Sequence, residues 1–273
     1  MLLVASVDVG SATTKALIVN EKREVLGRGL IKTGSDLAGA AQRAYDQALS
    51  EVGATEPDVA YVASTGFGRY IVPFRDVQIT ELTSHARGAV TLFPNTRTVL
   101  DIGAQSTRAI KVAESGRVIM FRMNDKCAAG AGAFLVRAAR YLELKIDDIG
   151  PLSCQATSPQ PISSVCAVLA ESEIINHVTA GISVQDILMG CHLSIVTRAQ
   201  PLLKRVGHEP ELTLTGATGK NVGLVKAVEE TLKTKVNVSS EPEYVGALGA
   251  AMLALDRALK LQADGALPRL AVL

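Results

Sequence analysis

A short motif occurs twice in this sequence, and it consists of an aspartate near the end of a predicted strand, a glycine turn and a second strand. Aligned without a gap, residues 7–19 and 100–112 match Asp8 with Asp101. The glycine lets backbone N–H groups approach an anion closely, and the carboxylate can hold a hydrated cation. A single turn of this kind also closes ordinary hairpins. Because the motif is duplicated, we expect the two hairpins to bind a metal–nucleotide from both sides.

The candidate phosphate-binding residues are the glycines and the hydrogen-bond donors of the two turns. They are Gly10, Ser11, Thr13, Thr14 and Lys15 in the first hairpin, and Gly103, Gln105, Ser106 and Thr107 in the second. A third glycine turn runs from Thr215 and Gly216 to Gly219 and follows a later predicted strand. We expect a nucleoside to stack against the flexible backbone of this third turn.

Hydrolysis of ATP requires a water in line with the terminal phosphate and stabilisation of the charge that develops there. Gln105 can orient such a water. Mg²⁺ held by Asp8 and Asp101 can neutralise the charge, and Lys15 can assist. Two plainer interpretations stay open: Gln105 also fits a turn residue with local hydrogen bonds, while Lys15 and Arg108 also fit solvent-facing strand positions.

Two other nucleotide-binding signatures are excluded by the sequence. There is no Gly-x-x-x-x-Gly-Lys-(Ser/Thr) segment, which excludes a P-loop. No Gly-x-Gly-x-x-Gly opens a helix after the first strand, so a Rossmann dinucleotide site is also excluded.

Two cysteines, Cys127 and Cys166, are each expected at the start of a helix. A helix N-terminus lowers the pKa of a thiol and favours bound anions, so both positions suit thiolate ligation of a metal or an anionic cluster. Neither belongs to a Cys-x-x-Cys motif. From spacing alone, two buried structural cysteines are therefore the favoured interpretation.

The composition indicates a globular protein with ample material for a core: 273 residues, 48% of them hydrophobic, and a mean hydropathy of +0.24. A net charge of +1 and 4% aromatic residues argue against nucleic acid as a partner. No apolar run approaches the roughly 20 residues that span a bilayer. Residues 1–7 fit a first strand better than a signal peptide. Only four cysteines indicate a reducing compartment, so we expect a cytoplasmic protein.

Apolar periodicity predicts an α/β fold with two similar lobes and an ATP cleft between them. The predicted helices cover residues 36–52, 81–92, 128–144, 167–179, 184–206, 221–232 and 244–261, and a Pro-rich loop covers 151–161. A break at Pro94 and Asn95 separates the lobes. We expect residues 1–95, joined by a C-terminal helix at 246–273, to form the first lobe, and residues 96–245 to form the second, which carries Cys127 and Cys166.

The three glycine turns resemble those of the actin-like superfamily, which includes sugar kinases, acetate kinases, chaperone ATPases and actin. This resemblance implies two ribonuclease-H-like lobes that hold Mg-ATP. It also implies that Asp8 and Asp101 reach the metal through water.

A narrower resemblance covers almost the whole chain. The segments NDKCAAGAGAFL (residues 124–135), SSVCAVLAESE (163–173), STGFGR (64–69) and GALGAA (246–251) are similar to the ATPase family of 2-hydroxyacyl-CoA dehydratase activators and benzoyl-CoA reductase ATPase subunits. The resemblance implies one [4Fe–4S] cluster at the interface of two subunits, with Cys127 and Cys166 as ligands from each. The second ATPase subunit would be identical or a longer relative.

The resemblance also implies a function. An ATP-hydrolysing subunit of this kind drives low-potential electron transfer to an acyl-CoA reductase, and residues 83–90 and 101–104 favour the dearomatising benzoyl-CoA reductase. The alternative acceptor is a 2-hydroxyacyl-CoA dehydratase. The electron donor would be reduced ferredoxin or flavodoxin. Cys154 and Cys191 match no family motif and are expected to be spare thiols, although a cluster held by all four cysteines of one chain stays an alternative.

Several positions depart from the family pattern, and they bear on the hydrolysis rate. They are Ala104, Ser106, Ala131, Ala133 and Ala217. Two other functions also remain open: a metabolite kinase of the same superfamily without a cluster, and a nucleotide-gated scaffold that assembles into filaments.

Other titratable side chains have less specific interpretations. Glu171 and Glu173 fit either a solvated helix face or a contact with the partner subunit or the nucleotide. His85 fits a structural hydrogen bonder on its helix or, as the alternative, a residue that lines the cleft. The other histidines are expected to be structural or exposed, and they are His177, His192 and His208.

Overall fold

The computed structural model describes residues 1–124, 132–163 and 167–267, which form two units, each with a five-stranded sheet. One unit contains residues 1–92, the short segment 115–117 and residues 244–267. The other contains residues 93–114 and the described residues between 118 and 243.

The sheet of the first unit has the order β3-β2-β1-β4-β5. Its strands are β1 (Leu3–Val9), β2 (Thr13–Asn20), β3 (Val25–Lys32), β4 (Val59–Thr65) and β5 (Val77–Gln78). Strands β1, β2 and β3 form an antiparallel meander, while β4 lies parallel to β1 and β5 parallel to β4. Every residue of β1 is buried, as expected for a strand with helices on both faces of its sheet.

The first unit has three helices: α1 (Leu37–Val52) and α8 (Val245–Ala263) cover its sheet, and α2 (Glu81–Leu92) packs against α8. Helix α1 begins where the Asp36 carboxylate accepts a hydrogen bond from Gly39 N, and it ends at Gly53 in the left-handed conformation. Its alanines and Tyr45 pack on one face of the sheet. The alanine-rich side of α8 packs on the opposite face.

The sheet of the second unit repeats this arrangement in the order β10-β9-β6-β7-β8. Its strands are β6 (Thr98–Ile102), β7 (Thr107–Val112), β8 (Val118–Asn124), β9 (Leu212–Thr215) and β10 (Val236–Val238). Strands β6, β7 and β8 are antiparallel, and β9 lies parallel to β6. Strand β6 therefore corresponds to β1, and β9 corresponds to β4.

The helices described in the second unit surround one apolar core. They are α3 (Gly132–Tyr141), α4 (Ile149–Ser153), α5 (Ala167–Thr179), α6 (Val184–Val206) and α7 (Val222–Leu232). Phe134 of α3, Ile174 of α5 and Ile187 of α6 are all fully buried in this core. None of the helices in the described part of the chain is long and apolar enough to cross a membrane.

The predicted helices at 81–92, 167–179 and 184–206 are confirmed to the residue. The predicted loop at 151–161 is wrong at its start, because residues 151–153 belong to α4. Pro151 lies in the first turn of this helix, where a backbone N–H has no partner within the helix, so proline costs no hydrogen bond there. The helix expected to reach Leu144 ends at Tyr141, and Glu143 then adopts a positive φ of 55°. The first four residues expected in that helix lie outside the described ranges.

Candidate functional site

The first hairpin joins β1 to β2 and holds Asp8 opposite Lys15. The Lys15 Nζ lies 3.7 Å from Asp8 Oδ2, and the two residues are only 8% and 7% exposed. The Gly10 N–H donates to Thr13 O at 3.2 Å and closes the turn. A solvent-facing Lys15 is therefore wrong: the cation is buried against the carboxylate at the base of the turn.

The hydroxyl of Thr14 supports the turn from inside the unit. Thr33 Oγ1 donates to Gly10 O at 2.8 Å, and Thr14 Oγ1 lies 2.9 Å from Thr33 Oγ1. Thr14 is fully buried. Ser11 and Thr13 are half-buried at the turn itself, so their hydroxyls are nearer to solvent than that of Thr14.

The loop after β4, which the glycine turns of the sequence do not assign to the site, also reaches Asp8. Thr65, the last residue of β4, pairs with Asp8 in the parallel register, and Gly66 follows it with a φ of +89°. A Cβ at Gly66 would collide with Asp8 Oδ1 and lie 2.5 Å from Val9 O. The Gly68 N–H donates to the same carbonyl at 2.9 Å. This close approach requires glycine at position 66.

The second hairpin joins β6 to β7 and repeats the geometry of the first. Asp101 is opposite Arg108, and Arg108 Nη1 donates to Asp101 Oδ2 at 2.5 Å. Asp101 is 1% exposed and Arg108 is 7% exposed. The Gly103 N–H donates to Ser106 O at 2.9 Å and closes the turn, while Thr107 begins β7. The solvent-facing interpretation of Arg108 is also wrong.

The third glycine turn lies against Asp101 as the loop after Thr65 lies against Asp8. Thr215 pairs with Asp101, and its Oγ1 lies 3.4 Å from Asp101 Oδ1. Gly216 has a φ of +88°, and a Cβ there would lie 2.7 Å from Ile102 O and 3.0 Å from Asp101 Oδ1. Each unit therefore places a Thr-Gly turn beside its aspartate.

The tip of the second hairpin is bonded to the start of α3. The N–H of Gly132 donates to Gly103 O at 2.8 Å, and that of Ala133 donates to Ala104 O at 2.9 Å. Thr218 Oγ1 donates to Ile102 O at 2.8 Å, and a Cβ on Gly132 would lie 2.7 Å from Thr218 Cγ2. The hairpin, the third glycine turn and α3 thus meet at one point.

Gln105 occupies the exposed tip of the second hairpin, between the two carbonyls that bond to α3 and the half-buried Ser106. Gly219 is buried below the third turn, where a Cβ would press on Pro242 at 2.9 Å. The structure therefore brings Gly103, Gln105, Ser106, Thr215 and Gly216 together in the second unit.

The two predicted cluster ligands, Cys127 and Cys166, lie outside the described residues, as does Ala131. The described cysteines are Cys154, half-buried after α4, and Cys191, fully buried in α6. Burial raises the pKa of the Cys191 thiol to about 12, so this thiol stays protonated at neutral pH. Cys191 also lies among the apolar residues of the second unit's core, which makes it a poor member of any four-cysteine site in one chain.

Glu171 and Glu173 bond within the second unit, which neither interpretation of these residues anticipated. The Glu171 carboxylate accepts hydrogen bonds from Arg137 Nε and from Tyr141 OH, the latter at 3.2 Å. The Glu173 carboxylate accepts a hydrogen bond from Ser163 N at 2.5 Å. These contacts link α3, α5 and the segment that precedes residue 164.

The described histidines have structural surroundings or are exposed. His192 is fully buried, and its Nε2 accepts from Asn221 Nδ2 at 3.0 Å. Burial lowers the pKa of His192 to about 3. His85 is buried against Gly246 of α8, and His208 is exposed.

The chain matches the model of the BadF/BadG/BcrA/BcrD ATPase family over residues 6–254. It is 42% identical to an activator of lactoyl-CoA dehydratase from Anaerotignum propionicum, over 93% of this chain and 98% of that protein. It is 40% identical to a benzoyl-CoA reductase subunit from Thauera aromatica, over 96% of each.

A solved structure shares the fold closely. It is an activator of the 2-hydroxyisocaproyl-CoA dehydratase from Clostridium difficile with bound ADPNP, with a TM-score of 0.92 and 34% identity over 96% of this chain and 98% of that chain. The predicted actin-like α/β fold and the predicted family resemblance are both confirmed. The chain belongs to the BadF/BadG/BcrA/BcrD ATPase family.

Proposed function

We propose that this chain is an ATP-hydrolysing subunit that drives low-potential electron transfer to an acyl-CoA-transforming enzyme. The observation that carries the proposal is the bonding of Gly132 and Ala133, at the start of α3, to the carbonyls of Gly103 and Ala104. The residues expected to bind phosphate are thereby connected to the helix that follows Cys127. A change at the nucleotide would act directly on that helix.

ATP is bound, in this proposal, by the residues predicted from the duplicated hairpins and the third glycine turn. Support comes from the aspartate and Thr-Gly turn in each unit, and from the ADPNP bound to the relative from Clostridium difficile. Asp8 and Asp101 already pair with Lys15 and Arg108. Contact with Mg²⁺ through water therefore suits both carboxylates better than direct ligation.

Gln105 has the exposure needed to orient a water at the terminal phosphate. Ala104, beside it, uses its carbonyl to accept from α3, and Ser106 uses its carbonyl to close the turn. Ala104 and Ser106, which depart from the family pattern, thus act here through their backbone carbonyls, and these hydrogen bonds do not depend on the side chain. We expect hydrolysis to be retained.

A [4Fe–4S] cluster is held, in this proposal, by Cys127 and Cys166 from each of two subunits. Such a cluster supplies one-electron transfer at low potential. The donor chemistry of the chain fits this assignment, because Cys191 is buried with a raised pKa and each of the two proposed ligands precedes a helix. The partner ATPase subunit is a second copy or a longer relative, and reduced ferredoxin or flavodoxin supplies the electron.

We propose benzoyl-CoA reductase as the acceptor on the basis of residues 83–90 and 101–104 and the 40% identity to the reductase subunit from Thauera aromatica. Activation of a 2-hydroxyacyl-CoA dehydratase is the second candidate, favoured by the 42% identity to the lactoyl-CoA dehydratase activator.

The cluster is tested by iron analysis and electron paramagnetic resonance of protein purified without oxygen. We expect a [4Fe–4S] signal that is lost in Cys127→Ala and in Cys166→Ala, while Cys154→Ala, the matched control, keeps it. The signal surviving in either of the first two variants, or being absent from the unaltered protein, would contradict the proposal.

The acceptor is tested by mixing the reduced protein and ATP with either enzyme. Benzoyl-CoA reductase lacking its ATPase subunits, and a 2-hydroxyacyl-CoA dehydratase lacking its activator, are assayed separately for acyl-CoA product. We expect product with the reductase. Product only with the dehydratase would identify the second candidate, and ADP release that depends on a small hydroxyl or carboxylate acceptor would instead identify a kinase.

A further inference from the structure

One side of α3 carries polar contacts at both of its ends. Ala133, Arg137 and Tyr141 are four residues apart and therefore lie on the same side of the helix. The first bonds through its N–H to the second hairpin at Ala104 O, and the other two bond to Glu171 of α5. The opposite side of α3 is buried in the core through Leu135 and Ala139.

The contact with the hairpin fixes α3 along its axis. Two successive N–H groups donate to two successive carbonyls, those of Gly103 and Ala104. A hydrogen bond loses its strength when the donor and acceptor move apart or out of line. A displacement of the hairpin tip therefore moves α3 with it, or it breaks both bonds.

The contact between Glu171 and α3 fixes α5 to α3. The Arg137 guanidinium and the Tyr141 hydroxyl bind the two different oxygens of the Glu171 carboxylate. The Glu171 side chain is 18% exposed and that of Arg137 is 36% exposed, so the pair is partly shielded from water. A charge-assisted bond is directional, whereas the apolar contacts between the same helices permit sliding.

We propose that Arg137 and Glu171 are positioning residues that carry the nucleotide-dependent movement of α3 to α5. This inference rests on the proposed function, in which nucleotide binds at the second hairpin. The link then makes α3, which follows Cys127, and α5, which follows Cys166, respond together to one hairpin.

The test uses amide hydrogen exchange of the full chain, purified without oxygen, with ADP and with ADPNP. In the unaltered protein we expect the exchange of both α3 and α5 to differ between the two nucleotides. In Glu171→Gln, which keeps the side-chain size and removes the charge, α3 keeps its difference. The difference in α5 falls by about fivefold, within the range that single coupling residues produce.

Glu209→Gln is the matched control, because Glu209 forms an ion pair with Lys111 in the same unit away from α3 and α5. We expect this variant to respond as the unaltered protein does. Exchanging the charges in Arg137→Glu with Glu171→Arg is expected to restore the response of α5, which separates coupling from simple loss of stability.

Two results would overturn the inference. One is an α5 that responds to nucleotide in Glu171→Gln as strongly as in the unaltered protein. The other is an unaltered protein in which only α3 responds. Both are read without iron or electron transfer, so they are distinct from the loss of the cluster signal that would contradict the proposed function.

Discussion

At the scale of single residues, the candidate site depends on two glycines that touch carboxylates. Gly66 and Gly216 both have φ near +90°, and each lies where a Cβ would press on the aspartate of its own unit. Any side chain at these positions would displace Asp8 or Asp101 from its cation. The position of each carboxylate is therefore set by a residue that has no side chain.

Gly66→Ala is expected to destabilise the protein by about 3 kcal/mol, because it adds a collision with Asp8 to an unfavourable backbone conformation. The matched control is Gly53→Ala, since Gly53 has a φ of +64° and a Cβ there would meet nothing within 4 Å. The control measures the cost of a left-handed backbone without the collision, which is about 1 kcal/mol. Urea unfolding measures both.

Calorimetric titration with ADPNP then shows whether the collision reaches the site. We expect Gly66→Ala to weaken binding and Gly53→Ala to leave it unchanged. Equal stability and equal affinity in the two variants would show that the loop after Thr65 does not position Asp8.

Only some residues of the site can be predicted from the sequence. The two hairpins were predicted because their copies align without a gap, so Asp8 and Asp101 identify each other. The role of Thr65 and Gly66 was missed because it depends on the parallel pairing of β4 with β1, two strands that are separated by α1. A parallel pairing across a helix leaves no local sequence signal. Two other signals point to this loop: the Thr-Gly pair that positions 65–66 share with 215–216, and the segment STGFGR at 64–69.

At the scale of elements, α3 is held where the hairpin and the third glycine turn meet. Gly132→Ala places a methyl group 2.7 Å from Thr218 Cγ2, and overpacking of this kind costs about 2 kcal/mol. Thr218→Ser removes that Cγ2 but keeps the hydroxyl that donates to Ile102 O. We expect the double variant to recover more than half of the loss.

A double-mutant cycle in urea measures this coupling. ATPase assays on the same four proteins show whether the junction affects hydrolysis, and we expect activity to follow stability through the cycle. Additive losses in the double variant would mean that the two residues do not share a contact.

Helices α6 and α7 are joined by a histidine that stays neutral. The pKa of His192 is about 3 in the folded protein and about 6.5 when unfolded, so between these values only the unfolded chain takes up a proton. Stability is complete above pH 6.5 and is lost as the pH falls towards 3. Between pH 7 and 5.5 we expect a loss of about 1 kcal/mol from this residue.

Urea unfolding at pH 7 and at pH 5.5 tests whether His192 causes this loss of stability. His192→Gln, whose side-chain oxygen can accept from Asn221, should remove most of this pH dependence. His208→Gln should keep it, because His208 is exposed. The same slope in His192→Gln and in the unaltered protein would show that another group titrates.

The elements were predicted best where a long pattern repeats. Helix α6 extends over 23 residues and presents a regular apolar side, so both of its ends were predicted correctly. Strands β5 and β10 have two and three residues and were not predicted. Such short strands exist because a neighbouring strand supplies their hydrogen bonds, and a loop or a helix separates them from that neighbour in the sequence.

At the scale of the whole molecule, the proposed cluster makes the oligomeric state of the protein depend on bound iron. In that proposal, two thiolates from each chain would satisfy one four-iron cluster, so the cluster would join two chains. Removal of iron by a chelator is expected to convert a dimer into monomers, measured by analytical ultracentrifugation without oxygen. Cys154→Ala should behave as the unaltered protein, and a dimer that persists without iron would contradict a cluster-dependent assembly.

The residues of the first unit come from both before and after the second unit in the sequence. Ser6 Oγ of β1 donates to Ala247 O of α8 at 2.7 Å, and the sheet face formed by Val4, Val19 and Ala60 is covered by α8. During synthesis this face stays exposed until residues 245–263 have left the ribosome, while strands β6 to β10 of the second unit are already complete. The order of translation therefore gives the second unit the earlier opportunity to fold, and it leaves one face of the sheet that carries Asp8 uncovered until α8 has been synthesised.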